Sequence, residues 1–273
     1  MEEADLGSVG RLRVLVDGRR QAVESLGHAL PGLRELHLSD GFLSSIRDLG
    51  TRLRGLQLLY VSRCGLTSLD GIAALERLEE LYASFNDIED VGPLVAHETL
   101  RVIDLEANCV SGLGCFDVLR TLPQLEELSL STNPISTLPC YRRAVATSLP
   151  SLSILDDEDI GLEEKEELGD AVWEGLRAAA KAIAHGTETL SSAEQDAFRL
   201  AQAVDDSDSP DTAGEEEHLT VADSLRAGAA SLERSDAALS PAKAAATAAR
   251  SPRGPIPPET EETREETGGK GRG

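Results

Sequence analysis

Apolar residues recur at every third position in the middle of the chain, at Leu66, Leu69, Ile72, Leu75, Leu78 and Leu81. An α-helix would instead place its buried side chains three, four, seven and eight residues apart. A period of three fits short 3₁₀ turns that lead into a short strand. The pattern predicts that strand at Leu78-x-x-Leu81-x-Ala83. Asn86 follows, and its amide can bond backbone groups where the chain turns away from the strand.

The unit L-x-x-L-x-L-x-x-N occurs five times in succession, with Gly41 and Cys64 at the asparagine position of the first two copies. Its first leucines are Leu33, Leu56, Leu78, Leu100 and Leu125. The intervals are 23, 22, 22 and 25 residues, within the roughly 20–29 residues of a leucine-rich repeat. The stretch Val9-x-x-Leu12-x-Val14 matches a degenerate opening copy. The sequence therefore predicts an α/β fold, a leucine-rich repeat solenoid of the short-helix, 22-residue type, with C-terminal helices and a disordered acidic tail.

Changes in composition divide the chain into four predicted segments. Residues 1–32 are predicted to form an N-terminal cap that includes the degenerate repeat. Residues 33–156 contain the leucine-rich repeats and a C-terminal cap, and residues 157–204 form a helical segment. Residues 205–273 have no aromatic residue and consist largely of Asp, Glu, Ser, Pro, Ala and Gly, so they are predicted to be a disordered low-complexity tail.

Three helices are predicted after the last repeat. Tyr141, Val145 and Leu149 are four residues apart, so they share one helix face that can close the end of the core. Apolar residues at helical spacing predict a second helix ending at His185. Ser191 begins a capping box for a third helix. These last two helices can dock either on the repeats or on a partner.

Composition excludes several classes of function. The net charge is −23; residues 1–160 carry 14 basic and 25 acidic side chains, and residues 161–273 carry 12 and 24. A nucleic-acid groove or an anionic membrane surface needs clustered Lys and Arg, so we expect neither partner. The acidic N-terminus lacks the layout of a signal peptide, and no apolar run reaches the roughly 18 residues of a membrane span.

No catalytic, metal-binding or cofactor motif stands out. The four cysteines form no C-x-x-C pair and show no zinc-type spacing with histidine, so we expect buried, reduced thiols. The sequence contains no H-E-x-x-H, no G-x-G-x-x-G and no phosphate-binding loop. We therefore expect no enzyme activity, no metal, no cofactor and no small-molecule substrate.

The concave face of the predicted sheet is the candidate binding surface. The residue between the last two consensus leucines of each repeat points onto this face. With flanking outward positions, the candidate partner-binding residues are His37, Tyr60, Arg63, Tyr82, Phe85, Asp104 and Glu106. Outward aromatic residues are typical binding anchors, although tyrosine also simply suits strands and Phe85 could pack beneath its loop. Asp104, Glu106 and Glu127 favour a basic partner, or form an ordinary solvated face.

Several stretches carry more than the repeat consensus: Ile46-Arg47-Asp48-Leu49-Gly50-Thr51, Ser62-Arg63-Cys64-Gly65-Leu66, Leu69-Asp70-Gly71-Ile72-Ala73, Glu80-Leu81-Tyr82-Ala83-Ser84-Phe85-Asn86 and Val102-Ile103-Asp104-Leu105-Glu106. They resemble the leucine-rich repeat-containing protein 56 family of ciliated and flagellated eukaryotes, over roughly residues 33–156. The resemblance implies a non-enzymatic adaptor in the assembly or intraflagellar transport of outer dynein arms. It also implies protein partners among dynein-arm or intraflagellar transport components, and a location in the cytoplasm and the cilium or flagellum. The repeat class is also similar to phosphatase regulatory subunits, so docking of a phosphatase or another enzyme is the alternative.

Overall fold

Eight short strands form a single sheet in the computed structural model, which describes residues 8–185, 199–201 and 203. The strands lie in the order of the chain; the first seven are parallel, and the last is antiparallel to its neighbour. Each repeat thus adds one strand beside the previous one, which confirms the predicted solenoid. The strands are β1 (Arg11–Arg13), β2 (Glu35–His37), β3 (Leu58–Tyr60), β4 (Glu80–Tyr82), β5 (Val102–Asp104), β6 (Glu127–Ser129), β7 (Ile154–Leu155) and β8 (Glu158–Asp159).

The three connections from β2 to β5 are single 3₁₀ helices, as the period of three predicts. The helices are α1 (Leu26–Ala29), α2 (Gly114–Leu119), α3 (Tyr141–Ser148) and α4 (Asp170–His185), and the 3₁₀ helices are Val23–Ser25, Ile46–Leu49, Ile72–Ala74, Gly92–Leu94, Pro134–Thr137 and Glu163–Lys165. The repeat that begins at Leu100 is 25 residues long and contains α2 instead of a 3₁₀ turn. Its additional residues therefore form a longer helix rather than a loop.

The core is a stack of apolar side chains from the middle of each strand. Leu36, Leu59, Leu81, Ile103 and Leu128 are direct partners in neighbouring strands, and all are completely buried. The other consensus leucines fill the space behind them. Because every unit buries its apolar side against the next, the repeats stabilise one another rather than folding singly.

Asn86 holds the turn after β4. Its Oδ1 accepts hydrogen bonds from the backbone N–H groups of Cys64 at 2.9 Å and Leu66 at 3.0 Å. Its Nδ2 donates to the carbonyls of Val61 at 2.9 Å and Ala83 at 2.8 Å. One buried amide therefore pairs backbone groups of two adjacent repeats, which is the role that the sequence predicts for it.

The same arrangement continues towards the C-terminal end. Asn108 and Asn133 are buried and donate to carbonyls of their own and the preceding repeat. After the last repeat, the side chain of Asp156 replaces a backbone carbonyl of the strand ladder: its Oδ1 accepts from the N–H groups of Leu130 and Ser131, both at 2.8 Å. In earlier repeats, the N–H groups equivalent to that of Leu130 donate to backbone carbonyls of the next strand.

The first two repeats replace the asparagine. A Cβ on Gly41 would lie 2.6 Å from the carbonyl oxygen of Val16 and 2.9 Å from that of Leu38, so only glycine fits. In the next repeat, the thiol of Cys64 donates to the carbonyl of Leu38 at 3.2 Å. Burial raises the pKa of the Cys64 thiol to about 11, which keeps it protonated. All four cysteines are free, and Cys109 is half-buried whereas the others are buried.

The segment after the repeats packs on the end of the solenoid. Val172 and Leu176 of α4 are buried and belong to the same core cluster as the repeats. Arg142 of α3 donates a hydrogen bond to the carboxylate of Glu164 at 2.6 Å. This half-buried ion pair joins α3 to the 3₁₀ helix Glu163–Lys165, which precedes α4. The helix ending at His185 is thus confirmed, and it docks on the repeats.

The third predicted helix, from Ser191, lies mostly outside the described residues. Residues 199–201 and 203 are helical; Ala201 is buried, and the thiol of Cys140 donates to its carbonyl at 2.7 Å. The predicted tail, residues 205–273, also lies outside the described residues. The four-segment division of the chain therefore remains a prediction.

Candidate protein-binding surface

Three aromatic side chains form one continuous stack on the exposed face of the sheet. His37, Tyr60 and Tyr82 are register partners on β2, β3 and β4. The His37 and Tyr60 ring centroids are 4.0 Å apart, and those of Tyr60 and Tyr82 are 4.5 Å apart, each pair inclined by only 5°. We call these three residues the aromatic stack. The rings pack face to face, and all three side chains are half-buried.

Glutamates on the same strands orient the two ends of the stack. The hydroxyl of Tyr82 donates to Oε2 of Glu80 at 2.8 Å. Nε2 of His37 lies 2.6 Å from Oε1 of Glu35, whose other oxygen accepts from Arg11 at 2.6 Å. Burial raises the pKa of Glu35, but the hydrogen bonds from His37 and Arg11 outweigh it and bring the pKa below its usual value. Glu35 is therefore ionised under physiological conditions and fixes the imidazole edge.

The tyrosine hydroxyls remain neutral across the physiological range. Burial, followed by the charges of Glu80 and Glu35, raises the pKa of Tyr60 to about 12. Burial and the hydrogen bond to Glu80 also raise the pKa of Tyr82. The stack therefore offers a partner apolar ring edges and neutral hydroxyls, a combination suited to protein contacts.

Arg63 and Phe85 lie on a second stripe, at the turn that follows each strand. The residue just before the asparagine position has a positive φ, between 53° and 65°, at Asp40, Arg63, Phe85, Ala107 and Thr132. The guanidinium of Arg63 lies 5.3 Å from the centroid of the Phe85 ring and 3.4 Å from the Asp40 carboxylate. Phe85 is half-buried beside this guanidinium rather than fully buried under its loop. A positive φ at a residue as bulky as Phe85 is uncommon in proteins.

The stack gives way to acidic side chains at β5. Asp104 is the register partner of Tyr82, and Ser129 is the partner of Asp104. Oδ1 of Asp104 accepts a hydrogen bond from the backbone N–H of Glu106 at 2.9 Å. Burial, together with the charges of Glu106 and Asp157, raises the pKa of Asp104 to about 6. Of the seven candidate residues, His37, Tyr60, Tyr82 and Asp104 thus form one stripe, Arg63 and Phe85 lie on the adjacent one, and Glu106 lies between the two stripes, after β5.

Sequence reasoning missed the basic end of this surface. Arg13 is the register partner of His37, and both Arg13 and Arg11 are exposed on β1. The degenerate opening repeat, Val9-x-x-Leu12-x-Val14, could have revealed this end. Aligning it with the later repeats places Arg13 at the position of His37 and Tyr60. Sequence spacing also could not show that Glu35 bridges Arg11 and His37.

Metal sites and membrane-spanning helices can be considered for the part of the chain that the structure describes. Within the residues that the structure describes, no group of three or more His, Cys, Asp or Glu side chains could hold a metal ion. Over the same residues, no helix is both long and apolar enough to cross a membrane.

A family model described as leucine-rich repeat matches residues 18–184, which is more than half of the chain. This chain belongs to the leucine-rich repeat family. The match covers β2 to β8 and the aromatic stack, so all seven candidate residues lie within it, whereas β1 lies before it.

Among curated proteins, the chain is similar to leucine-rich repeat-containing protein 56 of Homo sapiens, with 42% identity over 165 residues, which are 56% of this chain and 30% of that protein. The homologue of that protein in Trypanosoma brucei brucei is 33% identical over 58% of this chain and 24% of its own length. Leucine-rich repeat-containing protein ODA7 of Chlamydomonas reinhardtii is 34% identical over 32% of this chain and 20% of its own length. The resemblance predicted from the sequence is confirmed, although the matched part is less than a third of each of these relatives.

Among solved structures, an internalin from Listeria monocytogenes matches 58% of this chain and 51% of its own, with 21% identity and a TM-score of 0.44. Similarity at this level bears on neither partners nor function.

Proposed function

We propose that this chain is a non-enzymatic, protein-binding adaptor in the assembly or intraflagellar transport of outer dynein arms, acting in the cytoplasm and the cilium or flagellum. The observation that carries the binding role is the aromatic stack on the exposed face of the sheet. Solvent-facing aromatic residues held by ring stacking and by Glu35 and Glu80 are preorganised, and preorganised anchors lose little entropy when a partner binds. The leucine-rich repeat-containing protein 56 resemblance supports the ciliary role.

The cellular test removes the chain from a flagellated cell and examines the axonemes by electron microscopy. The adaptor role predicts missing outer dynein arms with phosphatase activity unchanged. The alternative, a regulatory subunit that docks a phosphatase or another enzyme, predicts altered dephosphorylation with intact arms. Normal axonemes and normal motility would contradict the adaptor proposal.

The surface test re-expresses the chain with Tyr60→Ala and Tyr82→Ala together. Aromatic hot spots are each worth on the order of 2 kcal/mol of binding, so we expect the variant neither to capture dynein-arm or transport proteins in a pull-down nor to restore the arms. The substitutions also remove stacking that is worth about 0.5–1.5 kcal/mol per pair. A stability-matched control is therefore needed.

Val110→Ala supplies that control. Val110 is buried in the core, so its truncation lowers stability without altering the sheet face. We expect this variant to bind partners and to restore the arms as the native chain does. Restoration by the tyrosine double variant would move the binding site away from the stack, towards α4.

A further inference from the structure

The exposed face of the sheet has opposite charges at its two ends. On β1, Arg11 and Arg13 are exposed, and Arg13 continues the line of the aromatic stack. Beyond β4, the same line runs through Asp104, with Glu106 and Glu127 beside it. A basic end, an aromatic middle and an acidic end therefore follow one another across the strands.

The charged side chains at the two ends differ in sign. At the basic end, the guanidinium groups of Arg11 and Arg13 outnumber the carboxylate of Glu35, which bonds Arg11 and His37. At the acidic end, the carboxylates lie close enough for Glu106 to disfavour the charged form of Asp104. A ligand that spans the face therefore meets a reversal of charge along its length.

The span matches a short polypeptide segment. Five strand-to-strand steps separate β1 from β6, and neighbouring strands are about 4.8 Å apart, which gives roughly 24 Å. About 16 residues of α-helix cover that distance. Nucleic acid is a poor occupant because carboxylates line half of the face.

We propose that this face binds one polypeptide segment across the strands in a single direction. The Lys- and Arg-rich end of the segment lies over Asp104, Glu106 and Glu127, and its Asp- and Glu-rich end lies over Arg11 and Arg13. The reversed direction would bring like charges together at both ends, and such contacts penalise a wrong orientation. The inference rests on the proposed function, because it takes the same face as the binding surface.

A library of random 16-residue peptides, displayed and selected on the full chain, tests the charge order. We expect the selected peptides to carry basic residues at one end and acidic residues at the other. A photo-crosslinker at the basic end should label residues 102–131, and one at the acidic end should label residues 11–15. Selected peptides without segregated charge, crosslinks distributed equally between the two ends, or no selected peptide would each overturn the inference.

A charge-reversed variant sharpens the test: Arg13→Glu, Glu106→Lys and Glu127→Lys. We expect the peptides selected on the native chain to bind it at least tenfold more weakly or to exchange the ends of their crosslinks. The control is Arg77→Glu with Glu89→Lys and Glu98→Lys, which makes the same change in net charge at exposed positions outside the strands. The control should bind the peptides as the native chain does. Circular dichroism establishes that both variants are folded.

Two results separate this inference from the proposed function. Peptides without charge order that still fail to bind the Tyr60→Ala, Tyr82→Ala variant would overturn the single orientation while the stack remained a binding site. Peptides with the expected charge order, in a chain whose removal leaves outer dynein arms intact, would support the orientation and contradict the ciliary role.

Discussion

The side-chain oxygen of Asn86 accepts a hydrogen bond from the backbone N–H of Cys64 at 2.9 Å, across the boundary between two repeats. This contact is buried, so water cannot replace it. The strands that display the aromatic stack are thus joined by polar pairing at the turn as well as by the leucines behind them.

Asn86→Ala should therefore be strongly destabilising. It leaves the N–H groups of Cys64 and Leu66 without their acceptor, and each buried unpaired donor costs about 1–3 kcal/mol. We expect a loss on the order of 2–6 kcal/mol in the free energy of unfolding by urea. The control, Asp87→Ala, changes an exposed neighbour and should be nearly neutral. Equal loss in both variants would show that the amide has no special role.

A Leu→Ala substitution at a buried and at an exposed position tests which leucines form the stacked core. Leu81 is completely buried and Leu15 is 70% exposed. Leu81→Ala should cost roughly 2–5 kcal/mol through the cavity that it leaves, whereas Leu15→Ala should change stability little. Thermal unfolding followed by circular dichroism measures both. A native Tm in the Leu81 variant would contradict the stacked core.

The three tyrosines should resist ionisation in the folded chain. Burial raises the pKa of Tyr60 to about 12 and raises the pKa of Tyr82 and Tyr141 as well. Because the folded state favours the protonated hydroxyl, this contribution to stability is complete below about pH 10, the unfolded pKa, and is lost as pH rises further. Absorbance near 295 nm should therefore develop well above pH 10 in the native chain and near pH 10 in urea. Coincident titrations would contradict the buried hydroxyls.

Asp104 should make the chain less stable at neutral pH than its amide variant is. Its folded pKa, about 6, lies above the usual 3.8, so the folded state favours the protonated carboxyl. The resulting contribution is complete below about pH 4 and is lost as pH rises through 6. Asp104→Asn keeps an acceptor for the N–H of Glu106 but does not titrate. We therefore expect the variant to have the higher Tm at pH 7.5 and to lose that advantage at pH 4.5. A difference in Tm that does not vary with pH would contradict the shifted pKa.

The predicted tail should be dispensable for folding. A chain that ends at residue 204 retains the buried contacts of α4 and Ala201, so we expect it to have the Tm of the full chain. Limited proteolysis of the full chain should stop at a core ending between about residues 156 and 205, because exposed polar segments are cut first. Rapid cleavage within the repeats, or a lower Tm after truncation, would contradict the four-segment division.

The sequence by itself determined the repeat and its register. Leucines at fixed spacing can be buried only in a stacked solenoid, so Leu81, Asn86 and the outward positions of Tyr60 and Tyr82 could be predicted without coordinates. Spacing gives the face on which a side chain lies, because neighbouring residues of a strand point to opposite sides.

Only the tertiary structure showed which contacts those outward side chains make with one another. Spacing along the chain says nothing about ring planes, so it could not show that His37, Tyr60 and Tyr82 form a single stack. Nor could it show that the side chain of Asp156 pairs the N–H groups of Leu130 and Ser131 after the last repeat, or that α4 packs on the repeats. Each of these depends on contacts between residues distant in sequence, where rotamer, distance and the polar groups left unpaired determine the outcome.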